Sequence, residues 1–211
     1  MKIIVFRLRI LIPILIFLAG CSTEGEIRII NRTDQNLYFT VENNDYILEG
    51  SSTSDPSFTL SIDTGRKLLM LGTAEKEVEL YLEGETFMMQ LADAGGLPTG
   101  VFYTDTTVLV KADKTTNIYC DPTHAGVKLI NNSTQNVVEF TYSTGESDSL
   151  KSLISAPILV GDTFWARLKA STVYDSISYS FQIEYQDGSF DNSHQNIDDL
   201  SAGKQLLIIL P

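Results

Sequence analysis

Along much of this chain, apolar and polar residues alternate with a period of two. Ile177, Tyr179, Phe181, Ile183 and Tyr185 are interleaved with Ser178, Ser180, Gln182 and Glu184, and Val78, Leu80 and Leu82 with Glu77, Glu79, Tyr81 and Glu83. Successive side chains of an extended strand point to opposite faces, so this spacing predicts strands with one face on a core and the other in water. Between such runs lie Asn43-Asn44-Asp45, Ala94-Gly95-Gly96, Thr144-Gly145-Glu146 and Asp187-Gly188. Their residues accept positive φ or bond to nearby backbone, which marks them as turns. No stretch holds a 3.6-residue period. Many short strands at turn spacing predict an all-β protein built from β-sandwiches.

The pattern is also stated twice. Ile27-Arg28-Ile29-Ile30-Asn31-Arg32-Thr33-Asp34-Gln35-Asn36 returns as Val127-Lys128-Leu129-Ile130-Asn131-Asn132-Ser133-Thr134-Gln135-Asn136. Further matches follow in the same order. Asp63-Thr64 and Asp162-Thr163 each come after a proline, Pro56 or Pro157, and Ala112-Asp113-Lys114 and Ala202-Gly203-Lys204 each precede an apolar run. Ordered matches at one spacing are the mark of duplicated units. Two tandem immunoglobulin-like β-sandwich domains are therefore expected, over residues 26–122 and 126–211. Ile29 and Leu129 should hold equivalent core positions, and the Asn-x-Ser/Thr-x-Gln-Asn element should form the turn after each first strand.

The first twenty residues break this pattern. Lys2, Arg7 and Arg9 precede a dense apolar run from Ile10 to Ala19 with no acidic residue. A basic start, a short apolar run and small residues at its end have the layout of a secretory signal peptide, here residues 1–20. The run is shorter than the roughly 20 apolar residues a membrane-spanning helix needs, and Pro13 interrupts it. Leu18-Ala19-Gly20-Cys21 resembles the lipobox of bacterial lipoproteins. The resemblance implies cleavage after Gly20 and lipid, palmitate included, on Cys21. Two or more acyl chains anchor stably where one is marginal. Residues 21–25 would then be the lipidated cysteine and a short tether, its four residues 22–25 spanning at most about 14 Å. Ser22 is not the aspartate that signals inner-membrane retention, so the resemblance implies an outer-membrane address in the bacterial cell envelope.

Charge narrows the partners. The chain has 15 basic residues, three of them at positions 2, 7 and 9, against 27 acidic ones, so 12 basic groups remain beyond Cys21 and the balance there is −15. Nucleic acid is excluded, because phosphate binding needs clustered Lys and Arg. Adsorption to anionic lipid is excluded on the same ground, leaving the lipid to hold the membrane. Once Cys21 is lipidated, Cys120 is a lone thiol ending the strand-like run Thr116-Asn117-Ile118-Tyr119-Cys120, and is expected to be buried.

The residues of common chemistries do not converge. The two histidines, His124 and His194, fall in different units with no cysteine pair, so neither a zinc site nor a Ser/His/Asp triad is expected. Asp187, Asp191, Asn192, Asp198 and Asp199 lack the spacing of a calcium loop and read as ordinary acidic turns. Glu75, Glu77, Glu79 and Glu83 share the polar side of an alternating strand and read as a solvated face rather than paired catalytic carboxylates. No metal, cofactor or catalytic constellation is expected.

One aromatic stands apart. In Thr163-Phe164-Trp165-Ala166-Arg167-Leu168-Lys169, parity that turns Phe164, Ala166 and Leu168 to the core puts the single tryptophan, Trp165, beside Arg167 and Lys169. An exposed indole beside cationic donors suits a sugar ring or a partner protein, which nominates Trp165 and Arg167 as contact residues. The alternative is that Trp165 is buried or packs between the domains. Tyr81, between Glu79 and Glu83, is a weaker candidate. The expected function is a non-enzymatic, lipid-anchored binding module for glycan or envelope protein. A structural or adhesive subunit pairing strands edge to edge is the alternative, and a hydrolase the least supported reading.

Overall fold

A computed structural model describes residues 23–65, 73–145 and 147–211. The signal peptide, the lipobox and Cys21 lie outside the described residues. The fold is all-β, two tandem β-sandwiches with no helix among the described residues, and so none long and apolar enough to cross a membrane.

In the first sandwich the strands are β1 (Glu24–Asn31), β2 (Leu37–Val41), β3 (Asn44–Leu48), β4 (Ser57–Asp63), β5 (Glu75–Glu83), β6 (Phe87–Leu91), β7 (Asp105–Lys111) and β8 (Thr115–Pro122). They form one sheet ordered β4-β1-β8-β6 and another ordered β3-β2-β5-β7. The second sandwich holds β9 (Ala125–Asn131), β10 (Val137–Thr144), β11 (Ser147–Ser152), β12 (Thr163–Leu168), β13 (Tyr179–Tyr185), β14 (Phe190–Asp191) and β15 (Gln205–Leu210), ordered β12-β9-β15 and β11-β10-β13-β14. Strand for strand the order is the same. Each first strand runs parallel to the last strand of its own half and antiparallel to the fourth. The difference is β6, which covers the outer edge of β8 and has no equivalent on β15 among the described residues.

The period-two residues occupy the places their parity requires. Val78, Leu80 and Leu82 are buried while Glu77, Glu79, Tyr81 and Glu83 are exposed, and Tyr179, Phe181 and Ile183 are buried on β13. Each half has its own apolar core, one containing Ile27, Ile29, Phe39 and Ile118, the other Val127, Leu129, Phe140 and Ile208. Ile29 pairs with Phe58 and Ile118, Leu129 with Phe164 and Ile208, so the two residues hold matching positions.

The repeated Asn-x-Ser/Thr-x-Gln-Asn element is a buried polar turn, built twice. Asn31 Nδ2–H donates to the carbonyls of Gln35 (2.8 Å) and Glu49 (3.2 Å), and Asn31 Oδ1 accepts from the Thr33 N–H (2.9 Å) and hydroxyl (2.8 Å). Asn131 does the same with Gln135 (2.9 Å), Ile158 (3.2 Å) and Ser133 (3.2 and 2.6 Å). Asn36 and Asn136 then accept from Gly50 and Val160 N–H. A buried amide is tolerated because each of its polar atoms has a partner.

One sequence match and one boundary shift. Thr163, which pairs with Ile130, corresponds to Ser57, which pairs with Ile30, so Asp63-Thr64 at the end of its strand is not the counterpart of Asp162-Thr163 at the start of its own. Register follows the core-facing Phe58 and Phe164, and short polar pairs outside the core do not constrain it. Residues 24 and 25, expected in the tether, are already strand: Glu24 pairs with Asp63 and Gly25 with Ile62. The Ala112-Asp113-Lys114 match holds, since Asp113 (φ 59°) and Gly203 (φ 85°) both turn the chain into the last strand.

Cys120 is buried in the first core, and burial foremost, helped by the neighbouring Asp121 charge and opposed by Arg32, pushes its thiol up to about 12. The reactive thiolate is thus scarce at neutral pH. In a chain carrying Cys21→Ser, a thiol reagent at pH 8 is expected to label Cys120 only as the protein unfolds. Complete labelling of the folded chain within minutes would place this thiol at the surface.

Candidate functional site

The linker between the sandwiches is only Thr123-His124, and it is tied down. Thr123 and His124 N–H both donate to the Thr86 carbonyl (2.9 and 3.1 Å), and Gly203 N–H donates to the His124 carbonyl (2.9 Å). At Gly126 the halves press close: a Cβ there would lie 2.6 Å from Glu85 Cγ and 2.9 Å from Thr86 Cγ2. In the first half this position is the exposed Glu26. The matching strand position of the second half carries no side chain where the halves meet.

This joint leaves a cleft of about 900 Å³ between the sandwiches. From the first come the repeated turn Asp34-Gln35-Asn36, Tyr38 on β2 and the β5–β6 connection Glu83–Phe87; from the second come Lys128 on β9, Trp165 to Arg167 on β12 and Gln205 on β15. Trp165 is 50% exposed and Tyr38 48%. The Lys128 ammonium lies over the indole, 5.4 Å from the ring centroid, an attraction worth about 0.5–1 kcal/mol at an exposed site.

Arg167 shares this cleft but is used differently. Its Nη2–H donates to the Gly84 carbonyl (2.8 Å) and its Nε–H to the Glu85 carbonyl (3.0 Å), while Gln205 bonds to the Glu85 carboxylate. Arg167 is therefore a strut between sandwiches, with only part of its guanidinium left for a ligand. Partial burial, and secondarily the Arg167 charge, hold His124 below the usual imidazole value. It is thus predominantly uncharged at neutral pH.

The other candidates disperse. Tyr81 is exposed on β5 among glutamates and does not line the cleft, and Glu75 lies 3.6 Å from Lys111 in a surface ion pair. Asp187 spends its oxygens on the Ser189 N–H and hydroxyl and on Gln135, which hold its carboxyl down to about 2. Among the described residues no group of three or more His, Cys, Asp or Glu is placed to hold a metal ion. What the cleft offers is stacking area and mixed-sign hydrogen-bonding groups, the means of binding. Sequence reading missed Tyr38, Lys128 and the Asp34–Asn36 turn as cleft residues. The exposed parity of Tyr38 and Lys128 was visible, but nothing local told that they face the same space as Trp165.

No protein-family model and no curated protein matches the chain. Among solved structures it is similar to the Bacillus anthracis TIE protein at 12% identity and a TM-score of 0.30, covering 89% of this chain and 33% of that one. It is similar to a major pilin protein of Streptococcus pyogenes at 10% identity and a TM-score of 0.25, covering 90% of this chain and 98% of that one. A fimbrial protein from Bacteroides ovatus aligns at 8% identity and a TM-score of 0.31, over 90% of this chain and 49% of that one. The chain thus spans a third of the first and about half of the third. Likenesses this distant carry nothing about ligand or partner.

Proposed function

We propose that this chain is an exported lipoprotein, held on a bacterial envelope membrane by lipid on Cys21, whose inter-sandwich cleft binds a glycan or protein without catalysing a reaction. The observation that carries the binding role is the half-exposed Trp165 lining one cleft with the half-exposed Tyr38. A large aromatic ring open beside hydrogen-bonding groups is the kind of anchor that sugars and partner proteins stack on. Trp165→Ala is expected to cost less than about 1 kcal/mol of folding stability, as an exposed substitution does. It is expected to abolish binding to whatever glycan or envelope protein a glycan array or an affinity screen identifies for the wild type. Undiminished binding by a folded Trp165→Ala chain removes the cleft from consideration.

The anchor has its own test. Cys21→Ser is expected to release the protein from membranes and to abolish labelling with palmitate, because the net charge of −15 beyond Cys21, 12 basic against 27 acidic residues, offers no second attachment. Retention of both label and membrane after a salt wash contradicts the lipobox reading. A second reading, a structural or adhesive subunit that assembles through its strands, is favoured by the edge of β15 beyond Gln205, which among the described residues pairs with β9 alone.

A further inference from the structure

We propose that the free edge of β15 takes up an extended, apolar strand from a partner protein, laid antiparallel along it as β6 lies along β8. The inference rests on the assembly reading and not on the cleft, so the two can fail separately.

The first sandwich shows what this edge accommodates. β8 runs parallel to β1 and receives β6 antiparallel on its other side, with Tyr119 opposite Gln90 and Asp121 opposite Met88. In the second sandwich β15 runs parallel to β9 in the matching register, Leu207 and Ile209 standing where Asn117 and Tyr119 stand. The chain passes from β13 to β14 by a tight turn, and no strand is inserted that could return to cover β15. Among the described residues β15 therefore pairs with β9 alone. In a parallel ladder the N–H and C=O groups of alternate residues point to opposite sides. The Gly126 N–H bonds to the Lys204 carbonyl and the Asn132 N–H to the Leu210 carbonyl, so the even-numbered residues face β9 and those of 205, 207 and 209 face outward.

The side chains are uncovered as well. Tyr119 is roofed by the loop after β6, its hydroxyl donating to the Gly96 carbonyl (2.8 Å), whereas Leu207 is 49% and Ile209 54% exposed. Exposed edges are normally blunted by charge or by cover. Edge strands β3, β4, β7, β11, β12 and β14 each contain Asp, Lys or Arg, and β6 is bridged on its outer side by Tyr103. Beyond Gln205, whose side chain bonds to Glu85 at the joint, residues 206–210 have neither protection among the described residues. Strand addition supplies main-chain bonds for affinity and alternate side-chain positions for specificity. The net charge of −12 opposes bringing two copies together edge to edge, which favours a partner strand of other origin.

The probe is a fluorescent peptide of residues 85–92 with lysine tails, added to the purified full chain. Its antiparallel register places the Gln90 position opposite Ile209. That is a hydrogen-bonded pair with Cα atoms about 5.5 Å apart, within disulfide range. A peptide with Cys in place of Gln90 is expected to be captured by Ile209→Cys at least tenfold faster than by Tyr81→Cys, on the interior strand β5. A peptide with Cys in place of Met89 turns its thiol to the core side and is expected not to be captured. Leu207→Lys with Ile209→Lys is expected to weaken peptide binding at least tenfold with an unchanged melting curve, while Trp165→Ala binds the peptide as wild type does. Equal capture at Tyr81→Cys, or unweakened binding by the double lysine variant, overturns the proposal. So does Ile209→Cys joining two copies of the chain in the absence of peptide, which makes the occupant a second copy.

Discussion

Asn131→Ala is expected to destabilise the second sandwich by about 3–5 kcal/mol, far more than its small change in volume accounts for. Asn131 is fully buried, and its amide answers two carbonyls, a backbone N–H and a hydroxyl. Truncation leaves the Ser133 N–H without its partner, at about 1–3 kcal/mol, and removes the bonds to the Ser133 hydroxyl and to the carbonyls of Gln135 and Ile158, each about 0.5–1.5 kcal/mol, although the Ile158 carbonyl keeps the Val137 N–H. Asn131→Asp keeps the shape but turns lone pairs toward the carbonyls of Gln135 and Ile158, and should be at least as damaging. The neighbouring Asn132 is exposed, and Asn132→Ala should stay within about 0.5 kcal/mol of wild type. Denaturant melts of the three variants measure this. A cost below about 1 kcal/mol for Asn131→Ala would falsify the polar-turn account.

Gly126→Glu, which restores the residue of the first half, should instead break the joint while leaving both cores folded. Its Cβ would fall within 3 Å of the buried Thr86 side chain, and its carboxylate would meet Glu85. Overpacking of this kind costs about 1–3 kcal/mol. Relief by separation also forfeits the two Arg167 bonds to the first sandwich, each about 1.5–3 kcal/mol as bonds from a charged donor. Small-angle scattering should show a larger radius of gyration, and the Trp165 emission should change as its cleft opens. Gly126→Ala should give a smaller effect in the same direction. Unchanged scattering with Glu at 126 means the halves are not held together at this point.

Several features of the fold were legible along the chain because they are local. Alternation in 77–83 and 177–185 fixed which side chains face a core, and the burial of Cys120 belongs to the same parity. The repeated asparagine turn could be read as a turn because its residues bond to backbone a few positions away. Its second partners, Glu49 and Ile158, lie 18 and 27 residues away, and neither could be anticipated.

What the sequence determined by itself, then, was the strand character, the twofold organisation and the outward parity of Trp165. The tertiary structure alone decided that Trp165 shares a cleft with Tyr38, that Arg167 bonds to backbone 83 residues away, and that among the described residues β15 pairs with β9 alone where β8 is covered. The physical reason is separation. Parity is a property of a single strand, settled by where its own side chains point. A cleft or an exposed edge depends on which distant strands pair, and on how a two-residue linker sets one sandwich against the other.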